Sequence, residues 1–170
     1  MIIDIIKNRD LDGLKKHLKS NKVDFEEKDK YGNSALNVAS NLGELEITKI
    51  LLEHPFDINS RGIDDCTPLY YAVSGSYTDI VKILIDKKAD VNIPDEDGNT
   101  PLFIAVRGYN EAKGDSIIRL LLENGANPNI KNNYDNSIYS LLNMPKNKSI
   151  KDLFPLEWHS SCENFKSRQS

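Results

Sequence analysis

Apolar residues along this chain return at intervals of three and four, the spacing that lines up one face of a helix. Leu36 is followed by Ala39, Leu69 by Ala72 and Leu102 by Ala105, so that each pair shares a face. Further on, Ile47, Ile50 and Leu51 form an i, i+3, i+4 set, and Ile80, Ile83 and Leu84 repeat it. These stretches predict paired helices. Each pair closes on an apolar doublet (Leu51-Leu52, Leu84-Ile85, Leu121-Leu122) and runs into a polar turn: Asp57-Ile58-Asn59, Asp90-Val91-Asn92, Asn127-Pro128-Asn129.

The pairs are copies of one unit. Asp29 to Leu36, Gly62 to Leu69 and Asp95 to Leu102 align, and their closing leucines recur every 33 residues. A fixed period with the same residue types at the same offsets marks a repeat array. Ser34, Thr67-Pro68 and Thr100-Pro101 predict helix starts. The hydroxyl caps a free backbone N–H, and proline at the first helical position lacks only a donor that would be orphaned. The alanines leave room for the next unit's helix to come close. Lys88-Ala89-Asp90 and Gly125-Ala126-Asn127 stand where second helices should stop, the glycine being suited to a left-handed cap. Asp-x-x-Gly segments supply tight turns that project as fingers.

Carried to the ends, the same frame puts Ile3, Ile6, Leu14 and Leu18 under Leu36, Ala39, Ile47 and Leu51. Residues 1–28 therefore read as an incomplete first unit whose lysine-rich outer face suits a cap, beginning in a helix at Met1-Ile2-Ile3. Full units follow at 29–61, 62–94 and 95–131. Residues 132–155 read as a degenerate last unit, with Ile150, Leu153 and Phe154 on its second helix and Pro155 closing it. Residues 156–170 show no period and read as a tail.

With 170 residues, 39% hydrophobic and 28% charged, the chain has the make-up of one globular domain. No apolar run approaches the roughly 20 residues of a membrane span. The opening stretch is too short and too early charged for a secretory signal, so the expected location is the cytoplasm. Cys66 and Cys162 match no metal-ligand spacing and are expected as free thiols. A net charge of −4 argues against binding nucleic acid by phosphate neutralisation and fits a basic protein partner.

The stretches Asp95 to Leu102 with Ala105, and Ile118 to Asn127, resemble the ankyrin repeat family, and the register covers residues 1–155. The resemblance implies an all-α solenoid of about five helix-turn-helix units with projecting β-turn fingers, and a concave binding face of finger tips and first helices. It also implies a protein-binding module, not an enzyme. Where the family usually has histidine after Thr-Pro-Leu, this chain has Asn37, Tyr70 and Phe103, which puts the usual local hydrogen bonds of that ring in question. The third full unit is four residues longer than its neighbours between Ala105 and Leu121. That extension, followed by Gly125 to Asn133, is similar to small bacterial ankyrin proteins that serve as immunity partners of polymorphic toxins. The likeness implies a cytoplasmic inhibitor of a toxin or nuclease domain, monomeric when free; the alternative is a host-directed effector or scaffold with a eukaryotic partner.

Candidate contact residues follow from charge and aromaticity. Asp64, Asp65, Asp95, Glu96 and Asp97 bring five acids to two adjacent fingers, a surface suited to steering a basic partner. Tyr31 and Tyr134 share the third position of their fingers, where exposure and binding are expected. Tyr70, Tyr71 and Phe103 read either as anchors or as spacers between stacked helices. Arg107 and Tyr109 belong to the extension, which is either a contact loop or a lengthened first helix. Asn59, Asn92 and Asn129 read as turn residues bonding their own backbone. His17, His54 and His159 lie apart, and no nucleophile elbow, phosphate loop or zinc spacing occurs, so neither catalysis nor a cofactor or metal is expected.

Overall fold

The computed structural model describes residues 1–20, 22–111 and 115–154. Its helices come in consecutive pairs: α1 (Ile2–Lys7) with α2 (Leu11–Leu18), α3 (Ala35–Leu42) with α4 (Leu45–Leu51), α5 (Pro68–Ser74) with α6 (Thr78–Asp86), and α7 (Pro101–Arg107) with α8 (Ser116–Glu123). A fifth first helix, α9 (Ile138–Leu142), is followed by a 3₁₀ segment, Pro145–Leu153. The first helices pack in the order α1, α3, α5, α7, α9, and the second helices in the order α2, α4, α6, α8. Two rows of helices result, each unit supported by its neighbours. Among the described residues there is no strand, only an isolated antiparallel bridge between Lys28 and Ser34 at the base of a finger.

Local chemistry starts each full unit where the pattern predicts. The Ser34, Thr67 and Thr100 hydroxyls accept from the backbone N–H groups of Asn37, Tyr70 and Phe103, and Pro68 and Pro101 open α5 and α7. The core is then a ladder. Leu36, Leu69 and Leu102 have no exposed surface, and neither do Ala39 and Ala72 between them. Each such leucine contributes about 1.5–3 kcal/mol of burial, and the alanines set how closely the helices approach. The capping unit at the other end buries Ile3, Ile6 and Leu14, while Lys15, Lys16 and Lys19 face solvent. The Glu27 carboxylate accepts from the Ile2 and Ile3 N–H groups at 3.3 and 3.5 Å, satisfying the free start of α1.

Two elements differ from the pattern. The segment expected as the last second helix is 3₁₀, and the Ser137 hydroxyl makes no cap bond. A three-residue turn puts Asn147, Ile150 and Leu153 on one edge. Asn147 and Ile150 are buried there, Leu153 is half-buried, and the Asn147 amide donates to the Leu141 carbonyl at 2.8 Å. Phe154 still enters the core. The closing Pro155 and the tail lie outside the described residues. In the long unit α7 has seven residues, as α5 does, so the extra residues sit between α7 and α8 and do not lengthen the first helix.

Candidate functional site

The fingers are built by one side chain each. Asp29 Oδ1 accepts from the N–H groups of Tyr31 and Asn33 (2.9 and 3.0 Å), Asp95 Oδ1 from those of Asp97 and Asn99 (3.1 and 2.7 Å), and Asn132 Oδ1 from those of Tyr134 and Asn136 (3.0 Å each). An acceptor at this position folds the following backbone over itself and leaves the next two side chains at the tip. The fourth position is left-handed: Gly32 and Gly98 at φ 81° and 82°, Asp65 and Asp135 at φ 59° and 60°. The second finger lacks the acceptor because Gly62 stands there. Its N-terminal side is held instead by Asn33, whose Oδ1 accepts from the Ile63 N–H at 3.0 Å, and Asp64 is also left-handed at φ 55°.

The fingers are also tied to one another. The Glu96 N–H donates to the Asp64 carbonyl (2.9 Å), and the Asn133 N–H to the Asp97 carbonyl (2.8 Å). The Asn132 amide donates to Asn99 Oδ1 at 2.8 Å. A continuous ribbon results, and its tips read in order Lys30-Tyr31, Ile63-Asp64, Glu96-Asp97, Asn133-Tyr134. All eight side chains are exposed, with Tyr31 at 54% and Tyr134 at 67%, so they are free to meet a partner.

Charge on this ribbon is concentrated and only partly balanced. Arg61 pairs with Asp65 at 3.2 Å, a base that stands just before the stretch of acids. Asp95 is buried and spends its oxygens inside its own loop and on the Tyr70 hydroxyl, which donates to Oδ2 at 2.6 Å. Asp64, Glu96 and Asp97 remain at the surface. Asp64, with Asp97 and the other acids behind it, holds the Glu96 carboxyl above its ordinary range. The Tyr134 hydroxyl donates to Asp97 at 3.0 Å and is itself raised by that bond. Beneath the ribbon, burial and then Asp95 push the Cys66 thiol up to about 12, so this free cysteine is a protonated core residue. Cys162 lies outside the described residues.

The structure therefore brings Asp64, Asp65, Glu96, Asp97 and Tyr134 together, with Tyr31 on the finger before them. The others part from them. Phe103 is buried at 5% exposure and Tyr109 at 9%, so neither offers a contact surface. Phe103 fills space between stacked helices. Tyr109 seats the end of the array, its hydroxyl 3.0 Å from Ser149 Oγ. Tyr70 is half-buried and committed to Asp95. Arg107 is exposed, but it lines a cavity of about 390 Å³ among the helix-to-helix turns, away from the finger tips.

The turn asparagines also act differently from expectation. Asn59 Oδ1 accepts from the Asp90 N–H (3.0 Å) and Asn92 Oδ1 from the Asn127 N–H (2.7 Å), so each joins its unit to the next. Asn129 Oδ1 receives the Tyr139 hydroxyl at 3.1 Å. Their own backbone N–H groups go to Asp57, Asp90 and Asn127. Of the histidines, His54 stacks on Phe25, and His159 lies outside the described residues. Among the described residues no three His, Cys, Asp or Glu side chains converge as metal ligands. No helix among them is long and apolar enough to cross a membrane.

Residues 2–95 and 55–132 match the family of ankyrin repeats (3 copies). The chain belongs to the ankyrin repeat family. No curated protein matches it. As an ankyrin stack it is a protein–protein interaction module, and such proteins are generally not enzymes. Its departures from the family pattern after Thr-Pro-Leu now have physical accounts. Asn37, fully buried, takes over the polar role. Its amide donates to the Ser60 and Cys66 carbonyls (3.1 Å each), and its oxygen accepts from the Ser34 N–H and hydroxyl. Tyr70 sends its hydroxyl onward to the next finger, and Phe103 makes the position apolar.

Proposed function

We propose that this ankyrin protein grips a basic protein through the tips of its second to fourth fingers and, in doing so, acts as an immunity protein that blocks a toxin or nuclease domain. The observation that carries the reading is the exposed trio Asp64, Glu96 and Asp97, whose mutual repulsion raises Glu96 and is relieved by an incoming cation. Tyr134, bonded to Asp97, adds a rigid aromatic contact at the edge of the acids. The likeness of the long third full unit to small bacterial immunity proteins supports the more specific role.

The test is co-expression with the protein encoded immediately upstream. Cells should survive that protein only when this one is present, and the two should co-purify. Changing Asp64→Asn together with Glu96→Lys should slow association at low salt by about ten-fold or more and remove protection, with the helical circular dichroism unchanged. A neighbour equally harmful with and without this chain ends the immunity role. Unaltered, salt-independent binding by the double variant ends the acidic-finger reading.

A further inference from the structure

A second feature of the concave side lies behind the first finger tip. Between the first finger and α3 lies a groove of about 210 Å³, walled by Val38 and Leu42 on α3, Tyr71 on α5, and Tyr31 and Asn33 on the finger. Tyr71 fixes the far wall. Its hydroxyl donates to Asn33 Oδ1 (3.0 Å) and lies 3.3 Å from the Ile63 carbonyl, so one ring spans the first and second fingers. Burial, followed by Cys66, Asp64 and Asp29, pushes that hydroxyl up, and it thus stays a neutral donor. At the floor Lys7 and Asp29 neutralise each other at 3.1 Å. Asn41 is exposed on the rim, and its amide has no partner among the described residues.

The groove thus joins apolar walls, a neutralised floor and an unspent amide that can pair with a peptide group. It opens one finger before Asp64 and two before Glu96 and Asp97. Like charges lie on one side only, so an occupant that also meets the acids has to be polarised along the stack.

Resting on the reading of the acidic fingers, we infer that the partner presents a directional segment: an aromatic or large aliphatic side chain seated between Tyr31, Val38, Leu42 and Tyr71, followed toward the third full unit by lysine or arginine side chains that reach Asp64 and then Glu96 and Asp97. Stacked helices lie about 8–10 Å apart, so a chain in the polyproline II conformation, with about 3.1 Å per residue and three residues per turn, advances about three residues per finger and returns its side chains to the same face. The anchor and successive bases then recur at that interval. Lys30, 4.8 Å above the Tyr31 ring, marks the cation-accepting face of that ring and keeps a partner's base from displacing the anchor.

The experiment titrates isotopically labelled full-length protein with three synthetic glycine-based peptides and follows its amide resonances. One carries tryptophan and then lysines at the three-residue interval, one the same residues in reverse order, and one the lysines alone. The first should move the signals of Val38, Asn41 and Tyr71 as well as Asp64 and Glu96, and bind at least about five-fold more tightly than the other two. Asn41→Arg, a rim substitution that fills the groove, should erase that advantage, leaving the tryptophan peptide and the lysine peptide equally tight. Equal binding of all three peptides at the acidic fingers, or an advantage that survives Asn41→Arg, overturns the anchor groove and spares the acidic-finger reading. If the lysine peptide leaves Asp64, Glu96 and Asp97 unmoved, both fail.

Discussion

Single side chains here hold together segments far apart in sequence, and their loss should be measurable one at a time. Asp95 carries its finger: it accepts two backbone N–H groups, the Asn99 amide and the Tyr70 hydroxyl. Asp95→Ala leaves buried donors without partners and should lower unfolding free energy by about 2–3 kcal/mol. Tyr70→Phe removes one bond to a carboxylate from a half-buried site, at about 1–2 kcal/mol. Because the two share that bond, the double variant in denaturant melts should fall short of the sum; strict additivity would show the 2.6 Å contact to be energetically idle. Asp29 differs. Burial raises its pKa, but the Asn33 and Tyr31 N–H groups and Lys7 outweigh burial and hold it below the ordinary 3.8. A carboxylate lowered in the folded state contributes stability that is complete above 3.8 and fades as pH falls through the lowered value. Asp29→Asn keeps a loop acceptor, as Asn132 does in the fourth finger, and loses the charge. Its deficit relative to the parent should be present at neutral pH and close below 3.8; a gap that persists in acid would assign it to packing.

At the scale of the element, the fingers are turns whose fourth residue is left-handed, and the neighbours of that residue decide what it tolerates. Gly32 and Gly98 have nearly the same φ. A Cβ on Gly32 would meet open space, whereas one on Gly98 would stand 2.9 Å from the Asn133 backbone nitrogen and 3.0 Å from the Asn132 Cα. Gly32→Ala should therefore cost about 1 kcal/mol, the conformational penalty alone. Gly98→Ala should cost about 2–4 kcal/mol, because the fourth finger must move off the third. Equal losses in thermal melts would mean that the ribbon of fingers is looser than its hydrogen bonds imply. The second finger solves the same turn without an acceptor or a glycine in place, with Asp64 and Asp65 both left-handed, which turns two carboxylates to the tip at the expense of local strain.

Across the whole molecule, each unit is stable only against its neighbours, so the middle of the stack governs the rest. Ala72 has no exposed surface and sits where α5 meets α3 and α7. Ala72→Glu buries an unpaired carboxylate in a space sized for a methyl group, which should remove several kcal/mol from a total of about 5–15. The array should then melt at least about 10 °C below the parent, with loss of binding. A variant melting with the parent would contradict the close approach of α3, α5 and α7.

The fold was legible because its causes are local and repeated. Hydroxyl caps, prolines at helix starts, and the Leu36-Ala39, Leu69-Ala72 and Leu102-Ala105 pairs each specify a helix within a few residues, and the 33-residue period specifies that the helices stack. The tips Tyr31, Asp64, Glu96, Asp97 and Tyr134 were legible for the same reason, being turn positions. Sequence did not reveal what depends on neighbours 25 to 40 residues away: that Phe103 and Tyr109 turn inward, that Tyr70 is bound to Asp95, that Asn59 and Asn92 join successive units, and that Asn41 and Tyr71 face one groove. An identical period brings equivalent positions side by side without saying which side chain reaches across. That choice rests on side-chain length and on which polar atoms remain unpaired once the helices have stacked, and it is settled only in three dimensions.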